Sequence, residues 1–145
     1  MRIILLGLSL LIFSCQGQTQ EDKNESTPQL HAEPEGTIAS EPFQDITVGE
    51  FQNKLSGEDV VVLDVRRPDE TAEGKIGDAI ELNVLEEESF REGLNNLDKG
   101  KTYLVYCRSG RRSVTASNIM AEMGFESIYN LVGGYTAWKE HEEKN

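Results

Sequence analysis

Thr102-Tyr103-Leu104-Val105-Tyr106-Cys107-Arg108-Ser109-Gly110-Arg111-Arg112-Ser113 decides the architecture. Five residues rich in aromatic and β-branched side chains end at a cysteine, which predicts a strand over 102–106. A short loop with one glycine and three arginines follows. Beyond it Val114, Ala116, Ile119, Met120 and Met123 recur at helical spacing, so a helix is predicted over 113–123, with Gly124 placed to stop it. Strand, loop and helix form half of a βαβ unit, and open α/β sheets bind their ligands beyond the carboxyl ends of such strands.

Working outward, Val60-Val61-Val62-Leu63-Asp64-Val65 is a second apolar run, the pattern of a strand buried on both faces of a parallel sheet. Arg67-Pro68-Asp69-Glu70 breaks that run and starts a helical turn. Residues 79–84 are a candidate strand, and 86–97 read as an exposed, acidic helix. Thr47 with Glu50 three residues on is a capping box that opens a helix through Phe51 and Leu55. Toward the carboxyl end, 127–131 read as a last strand, Gly133-Gly134 as a turn and 135–140 as a closing helix. The alternation predicts an α/β fold, an open parallel sheet flanked by helices, in a single domain over 46–145.

Residues 1–15 stand apart. Met1-Arg2, an apolar run from Ile3 to Phe13 and Ser14-Cys15 have the three-part form of a secretory signal peptide. The run is shorter than the roughly 20 apolar residues of a membrane span. Leu11-Ile12-Phe13-Ser14-Cys15 resembles a bacterial lipobox, which implies acylation of Cys15; the alternative is an ordinary signal peptide cut near Ser14, which leaves Cys15 free. An exported, lipid-anchored protein of the bacterial cell envelope is therefore expected, facing the periplasm or on the outer membrane. Residues 16–45 carry seven acidic and one basic side chain with Pro28, Pro34 and Pro42, an acidic, disordered tether by composition.

The 46–145 segment has 12 basic and 19 acidic side chains, and the whole chain has a net charge of −12, which argues against a nucleic-acid partner. The chain has two cysteines. With Cys15 acylated, Cys107 has no partner for an internal disulfide and stands as a lone thiol.

That thiol sits where a nucleophile is useful. Backbone N–H groups of a tight loop and of a helix start form a concave anion site. The same donors, with guanidinium groups nearby, favour thiolate over thiol. Three of the segment's basic residues crowd into this loop of an otherwise acidic domain, and Gly110 lets the backbone wrap around one point. Neither His31 nor His141 is placed to serve as a base for Cys107, which argues against a papain-like protease. No Cys/His cluster suggests zinc, and no phosphate-binding glycine motif suggests a nucleotide, so no cofactor or metal is expected.

The loop C-R-S-G-x-R-S, at Cys107 to Ser113, resembles the active-site loop of the rhodanese family. Leu63 to Glu70 resembles that family's L-D-V-R-x-P-x-E segment, Glu73-Gly74-Lys75-Ile76 with Ala79-Ile80 its E-G-H-I-x-x-A, and Leu131 to Trp138 its L-x-G-G-x-x-A-W. Lys75 stands where many relatives have His, Gly77-Asp78 replaces a usual Pro-Gly, and Thr71 fills a place often aromatic. The resemblance implies a single-domain sulfurtransferase, which takes a sulfane sulfur from a donor such as thiosulfate or a persulfide and passes it to a thiophilic acceptor. Cys107 would be the nucleophile and persulfide carrier. The backbone of Arg108, Ser109, Gly110, Arg111, Arg112 and Ser113 would cradle the sulfur, with Arg108 and Arg112 holding a charged donor and Arg111 pointing to solvent. Asp64 and Arg66 would support the site by ion pairing. Trp138 and Gly133-Gly134 read as packing. Related phosphatases use C-x5-R, but six residues after Cys107 stands Ser113, and the nearest arginine is Arg112. This shorter loop suits a sulfur-sized pocket. A non-catalytic binding or persulfide-carrier module is the alternative, and a thiol sensor a third reading.

Overall fold

The computed structural model describes residues 42–144. Strands β1 (Gln44–Ile46), β2 (Val60–Asp64), β3 (Ile80–Glu81), β4 (Thr102–Tyr106) and β5 (Ser127–Leu131) alternate with helices. These are α1 (Val48–Lys54), α2 (Pro68–Thr71), α3 (Glu87–Leu94), α4 (Arg111–Glu122) and α5 (Gly134–Glu142). The strands form one sheet in the order β1-β5-β4-β2-β3, every pair parallel. This is the α/β sheet flanked by helices that the apolar runs predict.

The central place of β4 explains its composition. Successive side chains of a strand point to opposite faces, and in a buried parallel sheet both faces must be apolar. Tyr103, Val105 and Cys107 enter one core cluster, with Phe90 and Leu94 of α3 and Ala116 and Met120 of α4. Leu104 and Tyr106 enter the other, with Phe51 of α1 and Trp138 of α5. Strand alternation thus sends the Cys107 side chain into the α3/α4 layer, where α4 begins.

Several boundaries differ from the sequence reading, each for a local reason. Helix α4 starts at Arg111, two residues before Ser113, because Gly110 adopts a left-handed φ of 93° as its N-cap. Arg111 and Arg112 therefore belong to the first turn. The strand expected over 79–84 shrinks to Ile80–Glu81 at the sheet edge, paired with Leu63 and Asp64. Past it Asn83 turns the chain by accepting the Leu85 N–H through Oδ1 at 3.2 Å. Helix α3 spans only 87–94, and the reading of it as exposed is corrected: Phe90 and Leu94 are fully buried under its acidic face. The sheet also begins at Gln44, two residues before the expected start at 46, since Gln44 to Ile46 pair with Tyr129 to Leu131. Helix α1 opens with the predicted capping box between Thr47 and Glu50. Residues 1–41, which contain Cys15 and nearly all of the acidic tether, lie outside the described residues.

Candidate active site

Cys107 follows β4 directly and is 1% exposed. Its Sγ accepts the Gly110 N–H at 3.2 Å and lies 3.5 Å from the Ser113 hydroxyl, which also donates to the Gly110 carbonyl at 2.9 Å. Burial alone pushes the thiol pKa up. The Ser113 hydroxyl and the backbone N–H groups of Ser113, Ser109 and Gly110 pull it down and prevail, so the thiol ionises more readily than a free cysteine. The loop therefore solvates a thiolate with backbone dipoles in place of water.

What fixes the first two peptide planes of the loop is α5. Its first-turn N–H groups at Tyr135 and Thr136 donate to the carbonyls of Cys107 and Arg108, at 2.8 and 3.0 Å. The Thr136 hydroxyl donates to the Arg108 carbonyl as well, at 3.0 Å. In a trans peptide the C=O and the following N–H point in opposite directions. Fixing the carbonyls on α5 thus leaves the N–H of Arg108 and of Ser109 directed away from it. Gly134, at a φ of 59°, makes this approach possible, since a Cβ there would overlap the Cys107 carbonyl oxygen. The reading of Gly133-Gly134 as packing alone is corrected: the turn forms the back wall of the loop. No spacing rule could reveal this, because the contact joins segments that follow different strands.

The arginines divide their work. Arg111 is exposed, as the sequence reading has it, and so are Arg108 and Ser109. Arg112 makes a bidentate pair with Glu70 of α2, both hydrogen bonds 2.7 Å long. Glu70 also accepts the Arg67 N–H at 3.2 Å, which caps α2. The Arg112 hydrogen bonds hold the Glu70 pKa down at about 2, against burial. Glu70 is the residue the sequence reading passed over. It was visible only as the last letter of a motif, while its partner lies 42 positions away.

Asp64 and Arg66 form a buried ion pair behind the site, Nη2 to Oδ2 at 2.6 Å and Nε to Oδ1 at 2.9 Å. The remaining Arg66 donors reach the carbonyls of Glu70 and Gly74, and the guanidinium lies 4.0 Å from the Tyr135 ring centroid. Arg66 thereby ties β2, α2 and the start of α5 together, three elements that meet at the loop. Lys75, where histidine is more usual, pairs with Glu81 at 2.9 Å, and Thr71 donates to the same carboxylate at 2.6 Å. Among the described residues no group of His, Cys, Asp and Glu is arranged to hold a metal ion.

A family model described as a rhodanese-like domain matches residues 47–141. The chain is similar to the thiosulfate sulfurtransferase GlpE of Coxiella burnetii, 36% identical over 83 residues that cover 57% of this chain and 75% of that one. It is also similar to the putative sulfurtransferase YtwF of Bacillus subtilis, 34% identical over 105 residues, 71% of this chain and 98% of that one. Among solved structures, a rhodanese-like domain protein from Staphylococcus aureus superposes with a TM-score of 0.59 at 31% identity, covering 66% of this chain and 91% of its own. A rhodanese-related protein from Thermoplasma volcanium gives 0.60 at 28% identity, covering 68% and 93%.

Proposed function

This chain belongs to the rhodanese-like domain family, and on that premise we propose that it is a sulfurtransferase that carries sulfane sulfur as a persulfide on Cys107. The observation that carries this reading is the Cys107 thiol itself, buried beneath the Gly110 N–H at 3.2 Å and held toward thiolate by the loop. In the first step the thiolate attacks the outer sulfur of the donor. A bond forms between the two sulfurs, and the donor's remaining fragment leaves with the electron pair of the broken bond, as sulfite from thiosulfate or as a thiolate from an organic persulfide. In the second step a thiophilic acceptor attacks the outer sulfur of the Cys107 persulfide, and the Cys107 thiolate is restored. The loop donors stabilise negative charge on sulfur at both stages. The names of the similar sulfurtransferases support the reading.

The test is mass spectrometry of the purified chain after incubation with thiosulfate, and separately with an inorganic polysulfide. The expected result is a gain of one sulfur, about 32 Da, on the Cys107 peptide, removed by cyanide and absent in Cys107→Ser. A reduced, alkylatable Cys107 that gains sulfur from neither donor would move the assignment to a non-catalytic binding module.

We further propose that the sulfurtransferase domain is exported and held at the cell envelope by acylation of Cys15, on the strength of the 1–15 pattern. Incorporation of labelled palmitate in bacterial cells, lost in Cys15→Ala, is the expected result; equal labelling of both forms would refute the anchor.

A further inference from the structure

An arginine recognises an oxyanion best through the end of its fork, where two N–H groups donate in parallel. In this loop that end is already occupied. Arg112 Nη1 and Nη2 each donate to a Glu70 carboxylate oxygen at 2.7 Å. The same guanidinium is within electrostatic and hydrogen-bonding reach of the Cys107 side chain. Glu70 therefore cancels the charge of a cation that faces the reacting atom.

The neighbouring cations are engaged as well, with one exception. Arg67 pairs with Asp69 at 3.0 Å and with Glu70 at 3.5 Å. Arg67, Glu70, Leu85, Arg108 and Arg112 line one hollow of about 270 Å³ beside the loop. Of its three arginines only Arg108 has no ion pair and no side-chain hydrogen bond among the described residues. Leu85 in the same wall is 60% exposed. One unpaired cation and an exposed leucine suit a donor with one negative charge and an apolar substituent. A dianion finds no second cation free and meets the Glu70 carboxylate instead.

We propose that Glu70 sets the charge of the sulfur donor: by occupying Arg112 it disfavours dianionic thiosulfate relative to monoanionic donors such as thiosulfonates. The proposal rests on the sulfurtransferase reading above and names its donor class. Glu70 acts through Arg112 and is a positioning residue. The chemistry at Cys107 is the same for both donors. The thiolate attacks the outer sulfur and a sulfur–sulfur bond forms. The bond from that sulfur to the oxidised sulfur breaks, and its electron pair leaves with sulfite or, from a thiosulfonate, with sulfinate. No added oxidant or reductant is needed.

The test measures kcat/KM of the purified full chain for thiosulfate and for methanethiosulfonate, with cyanide as the common acceptor. The two donors differ by one charge and meet the same nucleophile. Their ratio is therefore insensitive to the thiol pKa and to a general loosening of the loop. Glu70→Gln should raise the thiosulfate-to-methanethiosulfonate ratio by about fivefold, through the KM of thiosulfate. Arg112→Gln leaves Glu70 uncompensated and should lower the ratio by about as much. The double variant removes both charges and should bring the ratio back to within about twofold of the original. Should Glu70→Gln fail to fold, the Arg112→Gln ratio decides alone. A ratio that stays constant across the folded variants overturns the specificity role while the sulfurtransferase reading stands. Failure of the unaltered chain to take sulfur from either donor overturns both.

Discussion

Arg112 and Glu70, 42 positions apart, are joined by two 2.7 Å hydrogen bonds at the mouth of the Cys107 loop. The pair fastens the first turn of α4 to α2, so the helix that presents the loop donors is clamped to the segment leaving β2. It is also partly buried, with Arg112 24% and Glu70 13% exposed, which places it above the usual surface ion pair in strength.

Glu70→Gln is expected to destabilise the domain in a pH-dependent way. The Glu70 pKa falls from the ordinary 4.5 to about 2 on folding. A depressed carboxyl pKa gives a contribution fully present above the unfolded value and lost as pH falls through the folded one. A shift of that size corresponds to at most about 3 kcal/mol at neutral pH. Urea denaturation of the two proteins should show a gap at pH 7 that narrows steadily below 4.5; a gap independent of pH contradicts the clamp.

Ser113→Ala is expected to raise the Cys107 thiol pKa, because one of the donors that outweighs burial is gone. The pH dependence of iodoacetamide alkylation reads this directly. The midpoint should move upward in the variant yet stay resolved, since the backbone donors of Ser109, Gly110 and Ser113 remain. An unchanged midpoint means the hydroxyl serves only the Gly110 carbonyl.

Gly134→Ala is expected to cost more than about 2 kcal/mol, from the left-handed backbone at φ 59° and from overlap with the Cys107 carbonyl oxygen. It should also disturb alkylation of Cys107, as the overlap falls on the loop itself. Gly49→Ala is the control: nothing lies within 4 Å of its would-be Cβ, and the position is inside α1. There alanine should stabilise, by about 0.5–1 kcal/mol. Thermal unfolding of the two variants should shift in opposite directions.

Asp64→Asn keeps the shape of the buried pair and removes its negative charge, leaving the Arg66 guanidinium uncompensated at 3% exposure. Breaking a buried pair from one side costs about 3–5 kcal/mol. For a domain of this size the melting temperature should drop by roughly 12 °C or more. A drop of only a few degrees would show that the Glu70 and Gly74 carbonyls and the Tyr135 ring suffice to hold Arg66.

The sequence by itself determined the sheet, its helical layers and the position of the Cys107 thiol. Apolar runs such as 60–65 and 102–106 are local records of burial on both faces, and a cysteine placed just after such a run lies at the end of a strand whatever else the chain does. It was less informative at the edge, where β3 has only two residues, because an edge position places weaker demands on composition than a central one. The Asp64–Arg66 pair was expected from the family resemblance and not from spacing, although its partners are only two residues apart. Only the tertiary structure decided that Arg112 is committed to Glu70 and that Gly133-Gly134 backs the loop. Each of these joins segments that follow different strands, and the bonds concerned are backbone or charge contacts without a periodic trace in the chain. Local patterns encode burial; the orientation of a peptide plane or a guanidinium is fixed by whatever the fold sets against it.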